Sequence, residues 1–344
     1  MENMGTQIGT LLTKNTITYE ELSGKVIAID AYNTIYQFLS AIRQRDGSML
    51  TDSSGNPVSH LTGLFSRTSR LREANIKPVF IFDGKPPEMK KDTLEKRKEC
   101  KENAALNYEI AKDEGNLEDM KKYAQATSRI TPQILADSKR LLELMGIPWM
   151  QAESEAEAQA SYMVSRGDVD YVGSQDYDVF LFGAENVIRN LGSTGKRKLP
   201  GQKKYVTKTP EHISLSSSLE ELELSREQLI DLAICIGTDF NEGMHRVGAK
   251  TALKLIKKHG DIDTIIREED KDIRACAPLE EIREFFMNPP VTEDYSFKWK
   301  KPDSDSLFDY LVNDRDFSEK QVLKNIQVLE ERAVSECQSC LGDW

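Results

Sequence analysis

Residues 79–87 read Val79-Phe80-Ile81-Phe82-Asp83-Gly84-Lys85-Pro86-Pro87. Four consecutive apolar residues that end on an acid and a glycine describe a strand covered on both faces, since a strand with one wet face would alternate. A second run, Val26-Ile27-Ala28-Ile29, ends on Asp30 in the same way. Between the two, residues 34–42 and 58–74 carry apolar side chains at helical spacing. This strand–helix–strand rhythm predicts an α/β fold with a parallel-type sheet. In such sheets chemistry collects beyond the carboxyl ends of the strands, where both acids stand.

Further along, residues 85–131 are highly charged and short of large apolar side chains, with Gly115-Asn116 in the middle. This segment cannot bury a full helical face, so it is either a solvated excursion or a pair of helices that order on a partner. Pro132 then opens an amphipathic helix that Gly146 closes. A strand over 147–150 follows, and Glu153-Ser-Glu-Ala-Glu-Ala starts another helix. Asp170-Tyr-Val-Gly reads as a strand leading into Asp176-Tyr177-Asp178. Ser225 caps a helix that Gly237 stops, with Asp239 just beyond.

Composition agrees with a globular protein: of 344 residues 39% are hydrophobic and 30% charged. No apolar stretch reaches the length of a membrane span, and Met1, Glu2 and Asn3 do not begin a basic and then apolar leader. The expectation is a cytoplasmic protein without membrane contact. Five scattered cysteines imply no disulfide framework, and the lone Cys337-x-x-Cys340 lacks partner ligands for zinc. The net charge of −11 argues against a nucleic-acid binder only as an average over the surface, whereas DNA meets one face.

Asp30, Asp83, Glu155, Glu157, Asp176, Asp178 and Asp239 all fall at ends of strands or helices. Singly, such an acid is usually a turn residue or a first-turn helix acid. Together, with the D-x-D at 176 and 178 read as extended and pointing to one face, they would repel one another strongly. Hard divalent cations resolve that repulsion, and the lack of His and Cys in the set favours Mg²⁺ or Mn²⁺ over Zn²⁺.

Four blocks carry a resemblance: Phe82-Asp83-Gly84-Lys85-Pro86-Pro87, Ser154-Glu155-Ala156-Glu157-Ala158, Gln175-Asp176-Tyr177-Asp178 and Gly237-Thr238-Asp239-Phe240. In this order and spacing the chain resembles the flap endonucleases over nearly its whole length. The resemblance implies a PIN-like 5′-nuclease fold, a central, mostly parallel sheet flanked by helices, with a helical arch and a helix–two-turn–helix. It implies cleavage of 5′ flaps of branched DNA at the single-strand to duplex junction, in replication and repair, with an accessory 5′–3′ exonuclease activity. The seven acids would hold two Mg²⁺ ions, with Mn²⁺ able to substitute. The first group would be Asp30, Asp83, Glu155 and Glu157, and the second Asp176, Asp178 and Asp239. Two-metal hydrolysis needs no side-chain nucleophile, and the four histidines stand outside the acidic set.

The basic residues extend the resemblance. Lys90 and Arg97 lie two helical turns apart, so a helix starting after Pro86-Pro87 would carry both on one face beside Asp83. The matching family residues contact the scissile phosphate. Tyr36 resembles a tyrosine that stacks on a base at the cleavage site. Residues 243–260 hold no acid, and Val247-Gly248 followed by a helix reads as the hairpin of a helix–hairpin–helix, with Arg246, Gly248, Lys250 and Lys254 toward duplex DNA. The family holds a K⁺ ion there, but its usual Gly-x-Gly begins here with Arg246. Residues 196–208, also basic and without acids, read as a loop near the duplex. Arg43, Arg67, Arg70 and Arg189 match DNA-contacting arginines, and Phe317 matches an aromatic in the pocket for a one-nucleotide 3′ flap. In the tail, Gln338, Leu341 and Trp344 resemble a sliding-clamp-binding motif.

The resulting layout is a single nuclease domain over 1–330, with the arch at about 85–131, an internal block over 132–262, the helix–hairpin–helix over 225–262 and a tail over 331–344. A monomer is expected, with translation starting at Met4, where Met4-Gly5 matches the family's beginning. The rival readings are a PIN-type ribonuclease and a non-cutting nucleic-acid scaffold.

Overall fold

The computed structural model describes residues 6–192, 195–198 and 205–341. The chain forms two compact units. One comprises the chain up to Glu21, Asp83–Lys96 and Gln151–Glu293, and the other Leu22–Phe82, Arg97–Met150 and the chain from Asp294 onward.

In the second unit the two expected strands, Val26–Asp30 and Lys77–Phe82, run parallel with Ala28 opposite Val79 and Asp30 opposite Ile81. Ile27, Ile29, Val79, Phe80, Ile81 and Phe82 are all buried. At about 2 kcal/mol per apolar side chain, this strip is a main source of the unit's stability. The connection runs through the helices Ala31–Ala41 and Ser59–Glu73, which pack on each other and against Lys77–Phe82. Ser59–Glu73 also meets Pro132–Leu144, the helix that Pro132 opens and whose Thr131 side chain accepts from the Ile134 amide. Ser59–Glu73 packs against Glu319–Leu341 as well. The residues before Phe317 form a widened, π-helical turn, Asp309–Asn313, and Asp316 adopts a left-handed φ of 58°.

In the first unit Tyr171–Gly173 and Asn186–Arg189 are parallel, and Glu211–Ser214 and Asn15–Thr16 extend that sheet antiparallel at its edge. Helix Ala156–Ser165 covers Tyr171–Gly173. Helix Arg226–Ile236 begins with a capping box between Ser225 and Gln228 and stops at Gly237, whose φ of 116° a side chain would resist. Ala249–His259 packs on it, and Phe182, Phe240, Phe285 and Phe286 form an aromatic cluster with ring centroids 5.1–6.1 Å apart. The fold class is thus the expected α/β, with parallel buried strands and helices against them.

The structure takes the second of the two readings of the charged segment and differs from the expectations in three further places. The charged segment is a pair of helices, Lys91–Asp113 and Leu117–Ala126, with Gly115 at φ 66° between them. The longer one buries only Ala104 and Ala111, which is why its sequence lacks an apolar stripe. It starts at Lys91, so Lys90 stands in the 3-10 turn Glu88–Lys90 just before it. The D-x-D is not extended, because Tyr177 is helical and Asp178 opens the short 3-10 helix Asp178–Phe180 that buries Val179 and Phe180. Residues 196–208 contain two strands, Gly195–Lys198 and Tyr205–Lys208, paired antiparallel, rather than a plain loop. No helix among the described residues is long and apolar enough to cross a membrane.

Candidate metal centre

Asp83 is placed by the glycine that follows it. The Gly84 amide donates to the Ser154 carbonyl at 2.6 Å, and the Lys85 amide to Glu153 at 3.1 Å. A Cβ on Gly84 would strike the carbonyls of Ala152 and Glu153, so only glycine permits the approach. It sets Asp83 at the start of helix Ala156–Ser165, where its Oδ1 accepts from the Ala156 amide at 2.8 Å. An acid there also meets the positive end of the helix. The Gln151 side-chain amide holds the Asp83 carbonyl.

Lys90 is the cation among these acids. Its ammonium lies 2.8 Å from Glu155 and 3.2 Å from Asp239, with all three side chains less than a fifth exposed. The Thr93 hydroxyl donates to the Asp239 carbonyl at 2.5 Å, and Lys96 pairs with Glu242 at 2.7 Å. Glu155 sits at the N-cap position of its helix without capping it, because its carboxylate is turned to Lys90. Two residues on, Glu157 accepts from the Ser174 hydroxyl at 3.0 Å, and the same hydroxyl accepts from the Asp176 amide at 3.1 Å. Asp178 accepts from both the amide and the hydroxyl of Thr6, at 2.9 and 2.5 Å.

Burial and the facing Glu155 push Asp83 up to about 6, against the pull of the Ala156 amide and Lys90. Burial also raises Asp178, with Asp239 adding to the rise and Thr6 opposing it. Acids raised by confinement with one another gain from added positive charge. Among the described residues no three acids, histidines or cysteines are arranged to hold an ion as they stand. They form pairs, Asp83 with Glu155 and Asp178 with Asp239, and Lys90 acts on both. Carboxylate oxygens alone, partly buried and short of compensating charge, fit a hard divalent cation.

The other predicted residues make contacts of their own. Asp30, buried, caps helix Ala31–Ala41 by accepting from Asn33 at 3.0 Å. Tyr36, on that helix, is half-buried, with the Lys101 ammonium 5.4 Å from its ring centroid. Burial lowers the Lys101 pKa, and the charges of Arg129 and Arg97 lower it further. Arg43 is engaged within its own unit, donating to Gly47 at 2.7 Å and to Ser128 at 2.6 Å. Arg67 is half-buried and Arg70 exposed on helix Ser59–Glu73. Arg246, Gly248, Lys250 and Lys254 are all exposed at and after the start of helix Ala249–His259. Arg246 itself takes a left-handed φ of 60°, the conformation a glycine would supply there. Phe317 is half-buried, its amide bonded to the Leu311 carbonyl at 2.9 Å. Arg189 stacks on Tyr177, its guanidinium 4.0 Å from the ring centroid. Gln338 and Leu341 fall at the end of helix Glu319–Leu341, and Trp344 lies outside the described residues.

Thr6, Ser174 and Lys101 were not singled out in the sequence. Lys101 follows Arg97 by one helical turn, a spacing that could have flagged it. Thr6 and Ser174 carry no local signal, since a hydroxyl is read as a cap or a turn until its partner is known.

Known proteins resemble the chain over nearly its whole length. Models of the XPG N-terminal domain and the XPG I-region match residues 6–104 and 146–239, the stretches that hold all the acids of the set. Flap endonuclease 1 of Methanococcoides burtonii is 56% identical over 341 residues, 99% of this chain and 100% of the relative. The Pyrococcus horikoshii enzyme of that name is 49% identical over 99% of this chain and 98% of its own. Among solved structures, the flap endonuclease-1 from Methanococcus jannaschii superposes with a TM-score of 0.76 at 39% identity, over 96% of this chain and 100% of that one. The catalytic core of Rad2 in complex with DNA substrate matches at TM-score 0.68 and 25% identity, over 94% and 97%. The fold is the PIN-like 5′-nuclease fold, and the chain belongs to the flap endonucleases, structure-specific nucleases that hydrolyse DNA phosphodiester bonds with the help of divalent metal ions.

Proposed function

We propose that the acids around Lys90 are the catalytic metal ligands of this flap endonuclease, and that they hold two Mg²⁺ ions, with Mn²⁺ able to replace them. The observation that carries the reading is the Lys90 ammonium held between Glu155 and Asp239, a positive charge lodged where the acids most need one. Asp83, Glu155 and Glu157 belong to the first group of ligands and Asp176, Asp178 and Asp239 to the second, and the sequence resemblance adds Asp30 to the first. Bound there, the cations would supply an activated water and the charge that steadies the attacking and leaving oxygens.

The protein's own groups do the rest. With its carboxylate partners holding cations, Lys90 would be free to donate to the scissile phosphate, as a preorganised donor to the developing charge. Arg97 acts with it as a second donor, and Tyr36 stacks on a base beside the cut. Duplex DNA lies along Arg246, Gly248, Lys250 and Lys254, where exposed cations and the amides of a helix start meet phosphates, with K⁺ as a further ligand of the hairpin. Arg67 and Arg70 also contact DNA phosphate, and Phe317 borders a one-nucleotide 3′ flap. Gln338, Leu341 and Trp344 engage a sliding clamp. The same site serves 5′–3′ exonucleolytic cleavage as an accessory activity.

A labelled double-flap DNA, incubated with the full chain with and without Mg²⁺, tests the reading. Cleavage at the flap junction that needs Mg²⁺ and disappears in EDTA is expected. Cutting that persists without divalent cations, or that prefers RNA of the same shape, would overturn it.

A further inference from the structure

The loop that carries Asp176 and Asp178 is gripped from outside by a single side chain. Arg189 projects from the strand Asn186–Arg189, and its guanidinium lies over the Tyr177 ring at 4.0 Å from the centroid. One terminal nitrogen donates to the Tyr177 hydroxyl, and the other donates to the Gln175 carbonyl at 2.9 Å. The fork therefore holds the residue before Asp176 and the residue after it. The side chain is only 16% exposed, and Glu211 stands 3.8 Å away as its counter-charge.

Tyr177 in turn is walled in. Its ring stacks on the buried Phe180 at 6.4 Å, and a Cβ on Gly9 would run into it, so the segment Gln7–Thr10 lies directly against the ring. Lys14 adds a second cation, 5.4 Å from the ring centroid. Just before that segment, Thr6 holds the Asp178 carboxylate through its amide and hydroxyl. Backbone and side chains of the D-x-D loop are thus pinned from two sides, by Arg189 through Tyr177 and Gln175, and by Thr6.

We propose that Arg189 is a positioning residue for the cation-holding loop, fixing Asp176 and Asp178 through Tyr177 and Gln175 rather than gripping DNA phosphate. The inference rests on Asp176 and Asp178 being cation ligands. A planar guanidinium fork matches two acceptors on either side of one residue while lying over the ring that bears one of them, and an ammonium cannot do all three. Groups that orient metal ligands govern metal affinity, whereas a phosphate contact governs DNA affinity.

Mn²⁺ binding to the full chain without DNA, followed by calorimetry, and flap-DNA binding in Ca²⁺, followed by anisotropy, separate the two roles. Arg189→Met should weaken Mn²⁺ binding by about 10-fold, as loss of an orienting partner does. Its flap-DNA Kd should stay within about twofold, because no phosphate contact is lost. Arg189→Lys keeps the charge and should keep the weak Mn²⁺ binding, whereas Tyr177→Phe, which retains the ring, should show a smaller loss in the same direction. Unchanged Mn²⁺ binding in Arg189→Met with DNA affinity clearly reduced, or restoration of Mn²⁺ binding by Lys, would overturn the proposal. The double variant Asp176→Asn, Asp178→Asn tests the underlying reading separately. If it binds Mn²⁺ as the unaltered chain does, those acids are not ligands, whatever Arg189 does.

Discussion

The Gly84 amide and the Ser154 carbonyl share a hydrogen bond of 2.6 Å, which brings Asp83 and Glu155, the neighbours of those two residues, face to face. Two acids from distant parts of the chain are held together by backbone, which cannot relax away from their repulsion as side chains could. Burial raises the pKa of Asp83, and the facing Glu155 raises it further.

Gly84→Ala should therefore disturb the site before it disturbs the fold. Its Cβ meets backbone carbonyls of Ala152 and Glu153, which must shift. Overpacking of this kind costs about 2 kcal/mol. Urea denaturation should show that loss, and the Mg²⁺ concentration needed for half-maximal cleavage should rise in the same variant. An unchanged Mg²⁺ requirement would mean that the approach serves stability alone.

Lys90→Ala and Asp178→Ala should part company with the duplex-binding residues. Loss of a preorganised donor lowers the chemical step by about a hundredfold, so Lys90→Ala should slow single-turnover cleavage to that degree. Asp178→Ala should abolish cleavage. Both should bind flap DNA within a few-fold of the unaltered chain, as anisotropy in Ca²⁺ would measure. Weaker binding at an unaltered rate constant would make Lys90 an ordinary surface cation.

His60 supplies a pH dependence of stability unconnected with catalysis. It is fully buried on helix Ser59–Glu73, and among the described residues neither ring nitrogen has a hydrogen-bond partner. Burial lowers its pKa from 6.5 to about 4, with Arg315 helping and Asp137 opposing. The unfolded chain thus takes up this proton at a higher pH than the folded one. The stabilisation is complete above pH 6.5 and is lost as pH falls from there toward 4. At 1.36 kcal/mol per unit the loss amounts to about 3 kcal/mol. Urea titrations at pH 7.5 and 4.5 should show a smaller difference in His60→Leu than in the unaltered chain. An equal difference would assign the effect to other groups.

Removal of residues 338–344 should leave unassisted cleavage of a double flap unaltered and eliminate stimulation by the sliding clamp. Full stimulation of the shortened chain would dismiss Gln338, Leu341 and Trp344 as a clamp motif.

Much of this was legible in the chain itself. The apolar runs before Asp30 and Asp83, the Pro132 helix and the Ser225 cap depend on neighbours a few residues away, and each forms as expected. Alternation makes the D-x-D look extended but says nothing of where a strand ends, and burial of Val179 and Phe180 turns the chain at Tyr177. Arg246 shows the opposite case, in which the residue departs from the family's glycine yet adopts a left-handed backbone.

By itself, then, the sequence determined the α/β class and the chemistry that carboxylate oxygens at the ends of its strands and helices can support, because hydrophobic period, capping and ligand type are properties of short stretches. Only the tertiary structure decided which acid faces which. Lys90 reaches a carboxylate 65 residues away, and Thr6 holds one 172 residues away. Such partners are chosen by how buried strands and helices pack, and packing brings together residues between which no local pattern runs.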